Sequence, residues 1–249
     1  MRAYYNEIDK FAASWLRKLI KRGLISNGEV DERSIVDVEP NDLRGFDQCH
    51  FFAGIGGWSY ALRLAGWPDD RFVWTGSCPC QPFSVAGKQR GGEDERHLWP
   101  AWFRLIKECR PPAIFGEQVA GASGLAWLDH VLADLEGEGY AAAAADLPAC
   151  GIGAPHIRQR IYFLASSDDR RERIQRFVKE EVQGIDLFSW CKDVRGIEDL
   201  RDRPPLHEPV ICSASDGIPG RVGRLRGYGN AIVPQVAAEV IGAYMGILN

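Results

Sequence analysis

Gly76-Ser77-Cys78-Pro79-Cys80-Gln81-Pro82-Phe83-Ser84 follows a short apolar run, Phe72-Val73-Trp74, and leads into a loop rich in glycine and charge, Gly87-Lys88-Gln89-Arg90-Gly91-Gly92-Glu93-Asp94-Glu95-Arg96. A cysteine just past the carboxyl end of a strand, pinned by prolines and followed by a polar loop, has the placement expected of a nucleophile in an open α/β sheet. Cys80 is therefore the candidate nucleophile, whose thiolate can attack an electrophilic carbon. Taken alone, the stretch suits a buried structural cysteine better, and a Cys78–Cys80 disulfide or half of a metal site also fits. The neighbouring segments reverse that preference.

Upstream, Gln48-Cys49-His50-Phe51-Phe52-Ala53-Gly54-Ile55-Gly56-Gly57-Trp58-Ser59 reads as a strand, a glycine-rich turn and the start of a helix that continues through Leu62, Leu64 and Ala65. Glycines at a strand end let the backbone turn tightly and let a ligand approach the amides at the helix start. Earlier still, Ala3-Tyr4-Tyr5-Asn6-Glu7-Ile8-Asp9 is a short strand ending in two carboxylates. Phe11, Trp15, Leu16, Leu19 and Ile20 follow at helical spacing. A carboxylate at such a strand end accepts ribose hydroxyls in nucleotide sites. Glu7 or Asp9 as a helix cap is an equal alternative from this segment. A turn at Asn27-Gly28 leads to residues 30 to 38, where Ile35, Val36 and Val38 predict a second strand.

Downstream, Leu98, Trp102, Leu105, Ile106 and Cys109 mark an amphipathic helix with Pro100 in its first turn, stopping at Pro111-Pro112. Ala113-Ile114-Phe115-Gly116-Glu117-Gln118-Val119 is a buried type of strand carrying a carboxylate near its end, where burial would raise the pKa and favour a proton donor. Leu125, Leu128, Val131, Leu132 and Leu135 predict another helix, and residues 140–147 and 160–165 two further strands. Alternation of strand and helix over residues 1–165 predicts an α/β doubly wound sheet. From Ser166 to Asp216 charge dominates and no regular pattern holds, as in an inserted recognition module or a partly disordered linker. Arg224-Leu225-Arg226-Gly227-Tyr228-Gly229-Asn230-Ala231-Ile232-Val233-Pro234 then enters a last helix through Val236, Val240, Ile241 and Tyr244, expected to dock on the main sheet.

The chain has 249 residues, 45% of them apolar, which is enough to bury a substantial core. Without a long apolar run or a secretion signal, a soluble, cytoplasmic protein is expected. Seven cysteines form neither a disulfide framework nor a zinc knuckle, and no metal is expected. A net charge of −4 argues against nonspecific coating of nucleic acid but leaves room for a local basic groove.

The whole set resembles the DNA cytosine-5 methyltransferases, in their phage and prokaryotic form, over residues 3 to 165 and 217 to 244. Phe52-Ala53-Gly54-Ile55-Gly56-Gly57 is similar to that family's cofactor turn, and Pro79-Cys80-Gln81 with Ser84 to Arg96 to its nucleophile and active-site loop. Gly116-Glu117-Gln118-Val119 stands where the family has Glu-Asn-Val, Arg158-Gln159-Arg160 resembles its Arg-x-Arg strand, and Gly229-Asn230 resembles the turn before its last helix.

The resemblance implies a mostly parallel, Rossmann-like class I methyltransferase sheet over residues 1–165 and 217–249, with residues 166–216 as a small target-recognition insert. It implies S-adenosylmethionine as cofactor, held by Phe52 through Gly57, Glu7, Ile8, Pro79, Asn230 and Ala231. Cys80, Glu117, Arg160 and Arg158 take the catalytic roles. Gln81, Ser84, Lys88, Arg90 and Arg96 contact double-stranded DNA, and a cognate restriction nuclease is a candidate partner. The implied reaction is methyl transfer to C5 of a flipped cytosine through a covalent adduct. A catalytically silent DNA-binding homologue and an RNA (tRNA) methyltransferase of the same mechanism are the alternatives.

Three departures stand out. The strand bearing Glu7 precedes the glycine turn instead of following it, a rearranged motif order. Phe51, preceded by His50, replaces the aspartate usual before the turn, and Asn230-Ala231 replaces Asn-Ser. If one cofactor pocket survives the new order, the strands ending at Glu7 and Phe52 must be parallel neighbours, with the return crossing made by the residues between Ile35 and Asp47.

Overall fold

The computed structural model describes residues 2–79, 98–154, 157–167 and 231–248. Seven strands form one sheet in the order β2-β1-β3-β4-β5-β7-β6. They are β1 Ala3–Asn6, β2 Gly28–Asp31, β3 Gln48–Phe51, β4 Val73–Gly76, β5 Ala113–Val119, β6 Ala141–Pro148 and β7 Gln159–Ser166. β2, β1, β3, β4 and β5 are mutually parallel, and β7 runs antiparallel to both β5 and β6. All four residues of β1, β3 and β4 are buried, as expected for inner strands of a sheet covered on both faces. The doubly wound fold read from the strand–helix alternation is thus present.

Successive side chains on each strand point to opposite faces. Tyr4, Phe51, Trp74 and Ile114 meet α3 (Trp99–Cys109) and α4 (Ala122–Gly137) on one side. On the other, Val73, Ala113 and Phe115 meet α2 (Gly57–Leu64) and α5 (Pro234–Leu248), and Ala3 and Tyr5 meet Leu16 of α1 (Lys10–Lys21). α5 docks on the sheet as expected, with Tyr244 hydroxyl against Ser166 Oγ at 2.9 Å. Among the described residues, no helix is long and apolar enough to cross a membrane.

The strand predicted around Ile35, Val36 and Val38 is not one. β2 lies earlier, and Ile35–Asp37 and Pro40–Leu43 form two 3-10 turns. Ser34 caps the first turn on the amide of Val36, and Arg33 bridges Asp31 and Asp42 at 2.7 and 2.9 Å. These local bonds give the backbone a better offer than a ladder. Ile35 and Val38, three apart on one side of the turn, are buried, while Val36 is exposed. With Leu43 and Phe46 they pack into the core, so the return from β2 to β3 is a packed crossing rather than a loose loop. Ser166, expected at the start of the insert, belongs to β7. The rest of the segment 166–216, from residue 168 on, lies outside the described residues.

Beneath the glycine turn lies a buried polar cluster. His50 Nδ1 is 2.8 Å from Thr75 Oγ1 and its Nε2 is 3.3 Å from Gln48 Oε1, which also accepts from Ser26 Oγ at 3.0 Å. The Tyr5 ring stacks on the imidazole with centroids 4.8 Å apart. Burial lowers the His50 pKa from 6.5 to about 3. The unfolded chain therefore takes up this proton near pH 6.5 and the folded chain only near pH 3, so stability falls as pH drops through that window. The contribution is at most about 1.4 kcal/mol per pH unit. Urea unfolding between pH 7 and pH 5 should show this slope in the wild type and its loss in His50→Gln. Parallel slopes in the two proteins would assign the acid sensitivity to other groups.

Candidate active site

The carboxyl ends of β1, β3, β4 and β5 converge on one rim of the sheet. β1 and β3 pair in parallel with Asn6 opposite Phe51, so the strand ends before Glu7 and Phe52 are neighbours, as the rearranged order requires. The turn after β3 is laced to the end of β1. Ala53 N donates to Asn6 O at 3.0 Å, and Gly54 N donates to Glu7 Oε2 at 2.6 Å. Glu7 Oε1 accepts from Asp9 N at 2.8 Å, and Asp9 itself caps α1 through the amides of Phe11 and Ala12. The two sequence readings of these acids thus divide: Asp9 is the cap, and Glu7 faces the glycine turn. Burial pushes the Glu7 carboxyl up, while the Asp9 and Gly54 amides pull it back.

The turn needs its glycines for two reasons. Gly54 and Gly56 have φ of 55° and 85°, the left-handed region. At Gly57 a Cβ would come within 2.8 Å of Ile232 Cγ1, so the start of α2 can lie against the segment before α5 only without a side chain. Ile8, beside Glu7, is 66% exposed, an apolar side chain left uncovered at the rim.

From β4 the chain continues through Ser77, Cys78 and Pro79. Cys78 is buried, and its carbonyl accepts from Gln118 Nε2 at 3.2 Å. Gln118 Oε1 also accepts from Val119 N at 2.8 Å. The side chain is thereby fixed at both ends and holds the backbone two residues before Cys80. Cys80 itself lies outside the described residues, as do Gln81, Ser84, Lys88, Arg90, Arg96 and Asn230.

Glu117, on β5, is 7% exposed and receives Arg160 Nε on Oε1 at 2.9 Å. Antiparallel pairing produces this contact: Arg160 sits opposite Val119 on β7, and Tyr162 opposite Glu117. Burial pushes the Glu117 carboxyl above the usual carboxylate range, opposed first by the Arg160 guanidinium and then by a hydrogen bond from Ser77. Arg158, at φ 33°, reaches elsewhere, donating from Nη2 to the carbonyl of Ala231 at 2.6 Å and tying the segment before α5 to β7. Of the four residues expected to act in catalysis, the described structure brings Glu117 and Arg160 into contact and sets Arg158 against the backbone of Ala231. Sequence reading missed Ser77, Trp58 and Gln118. Only Gln118, next to the buried acid, carried a signal that could have singled it out. Among the described residues, no group of His, Cys, Asp and Glu is placed to hold a metal ion.

Residues 67–203, more than half of the chain, match the family described as C-5 cytosine-specific DNA methylase. Type II methyltransferase M.AgeI of Thalassovita gelatinovora is 36% identical over 102 residues, which are 40% of this chain and 24% of that protein. M.NaeI of Lentzea aerocolonigenes is 30% identical over 162 residues, 64% of this chain and 33% of the relative. M.HhaI of Haemophilus parahaemolyticus is 27% identical over 203 residues, 64% of this chain and 60% of the relative. The matched part of this chain thus spans between a quarter and three-fifths of these relatives.

The Glu117–Arg160 contact has a pH-dependent consequence. Without the guanidinium, burial loses its strongest opponent and the folded pKa of the carboxyl rises further above the unfolded one. Stability is then complete below the unfolded pKa and is lost as pH rises toward the folded pKa. Arg160→Met should therefore cost about 2 kcal/mol at pH 8, below the roughly 3–5 kcal/mol of a fully buried pair because the arginine is partly exposed, and clearly less at pH 5. Urea unfolding at the two pH values checks this; an equal loss at both would mean the pair is not coupled to ionisation.

Proposed function

The chain belongs to the C-5 cytosine-specific DNA methylase family, and from that premise we propose that it methylates C5 of cytosine in double-stranded DNA. The observation that carries the reading is the buried Glu117–Arg160 pair set beside the Ser77–Pro79 segment that runs on to Cys80. A carboxyl held in a dry pocket with a raised pKa can hydrogen-bond or protonate a ring nitrogen, and a cysteine one residue beyond Pro79 is within the same segment.

In this reading the Cys80 thiolate forms a bond to C6 of the cytosine and pushes electron density onto C5. Glu117 stabilises the charge this creates by hydrogen-bonding or protonating N3, with Arg160 holding its carboxylate in place. S-adenosylmethionine, when bound, supplies the methyl group that C5 takes up. Loss of the C5 proton then restores the double bond and expels the Cys80 thiolate. A base inside a stacked duplex cannot be reached from both faces, so the target is flipped out, and the loop from Ser84 to Arg96, with Gln81, Lys88 and Arg90, closes over it and contacts DNA. Residues 166–216, of which Ser166 closes β7, are the proposed target-recognition insert. A cognate restriction nuclease is the proposed partner, in keeping with the Type II methyltransferase names of the relatives.

The residues at the rim fit the proposed cofactor. Each Glu7 oxygen accepts one amide and keeps a free lone pair for a ribose hydroxyl. Exposed Ile8 offers an apolar surface to a purine ring, and the Phe52–Gly57 turn with Pro79 and Ala231 supplies backbone that a ligand can approach closely.

Two measurements test the reading. Methyl transfer from labelled cofactor should go to DNA and not to tRNA, should disappear in Cys80→Ser, and duplex DNA carrying 5-fluorocytosine should trap the wild type at Cys80. Labelled tRNA would favour the RNA alternative, no labelling at all the silent homologue, and trapping at Cys78 would displace the nucleophile. Separately, Glu7→Ala should weaken S-adenosylmethionine binding by about 1–3 kcal/mol in calorimetry, the cost of leaving buried hydroxyls without their acceptor. Unchanged affinity would remove Glu7 from the cofactor site.

A further inference from the structure

We propose that Arg158 is a positioning residue for the cofactor pocket: it holds the Ala231 carbonyl and so keeps Ile232 seated against Gly57, where α2 begins. The proposal rests on the methyl-transfer reading above for what the pocket binds, and on the contacts themselves for its geometry. Gln159 opens β7, so Arg158 is the last residue before that strand. On a regular strand residues 158 and 160 would point the same way. At Arg158 the backbone instead takes φ 33°, which is disfavoured for a residue with a side chain. The two guanidiniums accordingly reach different partners, Arg160 the Glu117 carboxylate and Arg158 the Ala231 carbonyl.

The Ala231 carbonyl lies where it needs a donor from elsewhere. α5 starts at Pro234, and the amide of Ala237 closes on the carbonyl of Val233, so Ala231 precedes the carbonyls that helix amides reach. Arg158 Nη2 donates to it at 2.6 Å in a partly buried contact. The next residue, Ile232, is 6% exposed and shares a buried cluster with Trp58, Ala61 and Val236. It also stands where a side chain on Gly57 would go, since a Cβ there would lie 2.8 Å from Ile232 Cγ1. Gly57 is both the end of the glycine turn and the first residue of α2. The turn is thus held at both ends: at Gly54 by the Glu7 carboxylate from the β1 end, and at Gly57 by Ile232. Without the Arg158 guanidinium, the Ala231 carbonyl loses its donor, Ile232 can move off Gly57, and the proposed cofactor turn loses one wall. The segment that brings Arg160 to Glu117 thereby also braces that turn.

The test uses the full chain with Arg158→Met, Arg158→Lys and, as a control of α5 packing, Val236→Ala. S-adenosylmethionine binding is read by calorimetry without DNA, DNA binding by its salt dependence, and the glycine turn by amide hydrogen exchange in the ligand-free chain. Arg158→Met should weaken cofactor binding roughly 10-fold, the low end for one hydrogen bond to a charged group. It should also speed exchange in peptides covering residues 54–58 and 231–233, with the salt slope of DNA binding unchanged. Arg158→Lys keeps a donor without the planar fork, and should recover part of the affinity. Val236 is buried in the same cluster but has no polar group, so Val236→Ala should lower unfolding stability and leave cofactor affinity close to that of the wild type. Three results would overturn the proposal: unchanged cofactor affinity in Arg158→Met, an equal loss in Val236→Ala, or a salt slope reduced by about one with cofactor binding intact, as for an arginine on a phosphate. If the wild type binds no S-adenosylmethionine, the functional reading fails by itself. Exchange at residues 54–58 then decides, faster exchange in Arg158→Met supporting the brace and unchanged exchange removing it.

Discussion

The amide of Gly54 donates to Glu7 and the amide of Ala53 to the carbonyl of Asn6, and both bonds require β1 and β3 to run side by side in the same direction. Much of the rim follows from this pairing. Phe52 sits at φ 51°, a conformation that costs an ordinary residue about 1–2 kcal/mol, and it persists because the bonds on either side of it leave the chain no easier path. Its ring rests edge-on against Trp102, so strain in the backbone is matched by packing of the side chain. The same turn sends α2 off at the angle that seats Trp58 between the end of β4 and the face of β5. One strand pairing thereby orients both the glycine turn and the helix that follows it.

A second constraint acts on charge. An isolated carboxylate as deeply buried as Glu117 would simply take a proton. The antiparallel direction of β7 opposes that by placing Arg160 where its guanidinium reaches back across the strand pair. Burial and the ion pair oppose each other, leaving a carboxyl raised above its usual range yet held by donors, which is the poise a group needs to exchange a hydrogen bond or a proton with a base. Arg158 contributes differently, since its bond to Ala231 fixes the chain entering α5 and, through Ile232 against Gly57, the start of α2.

Much of this was legible because the signals were long or chemically demanding. Residues 98–166 alternate in runs long enough for period to decide type, and the strand at 113–119 matches its expected bounds to the residue. Glu7 and Glu117 could be singled out because few residue types can do what those strand ends require, whereas Arg160 was pointed to by the family resemblance alone. The stretch at Ile35–Val38 misled because three apolar residues in four do not separate a strand from a turn whose buried pair is spaced by three; Ser34 and Pro40 were the better guides. Ser77 and Trp58 were invisible for another reason. A serine and a tryptophan nineteen positions apart share no periodicity, and only the folded sheet brings them within 3.1 Å. Nor does sequence reveal that β7 runs against its neighbours, on which the reach of Arg160 depends.

The order of the chain matters less than the order of the sheet. The match to the family covers residues 67–203, and both the Glu7 strand and the glycine turn lie ahead of it. In space the displacement leaves β1 between β2 and β3, and the only new demand is a connection from β2 back over β1 into β3. Loop closure grows only with the logarithm of length, so sixteen or so intervening residues add little. Burying Ile35, Val38, Leu43 and Phe46 along the way offsets that cost with apolar surface, and Gly45, at φ 81°, makes the final turn before Phe46 and β3. What a site at the rim of a parallel sheet requires is that particular strand ends be adjacent. The direction from which the chain arrives at each of them is free to change as long as the crossing can be packed.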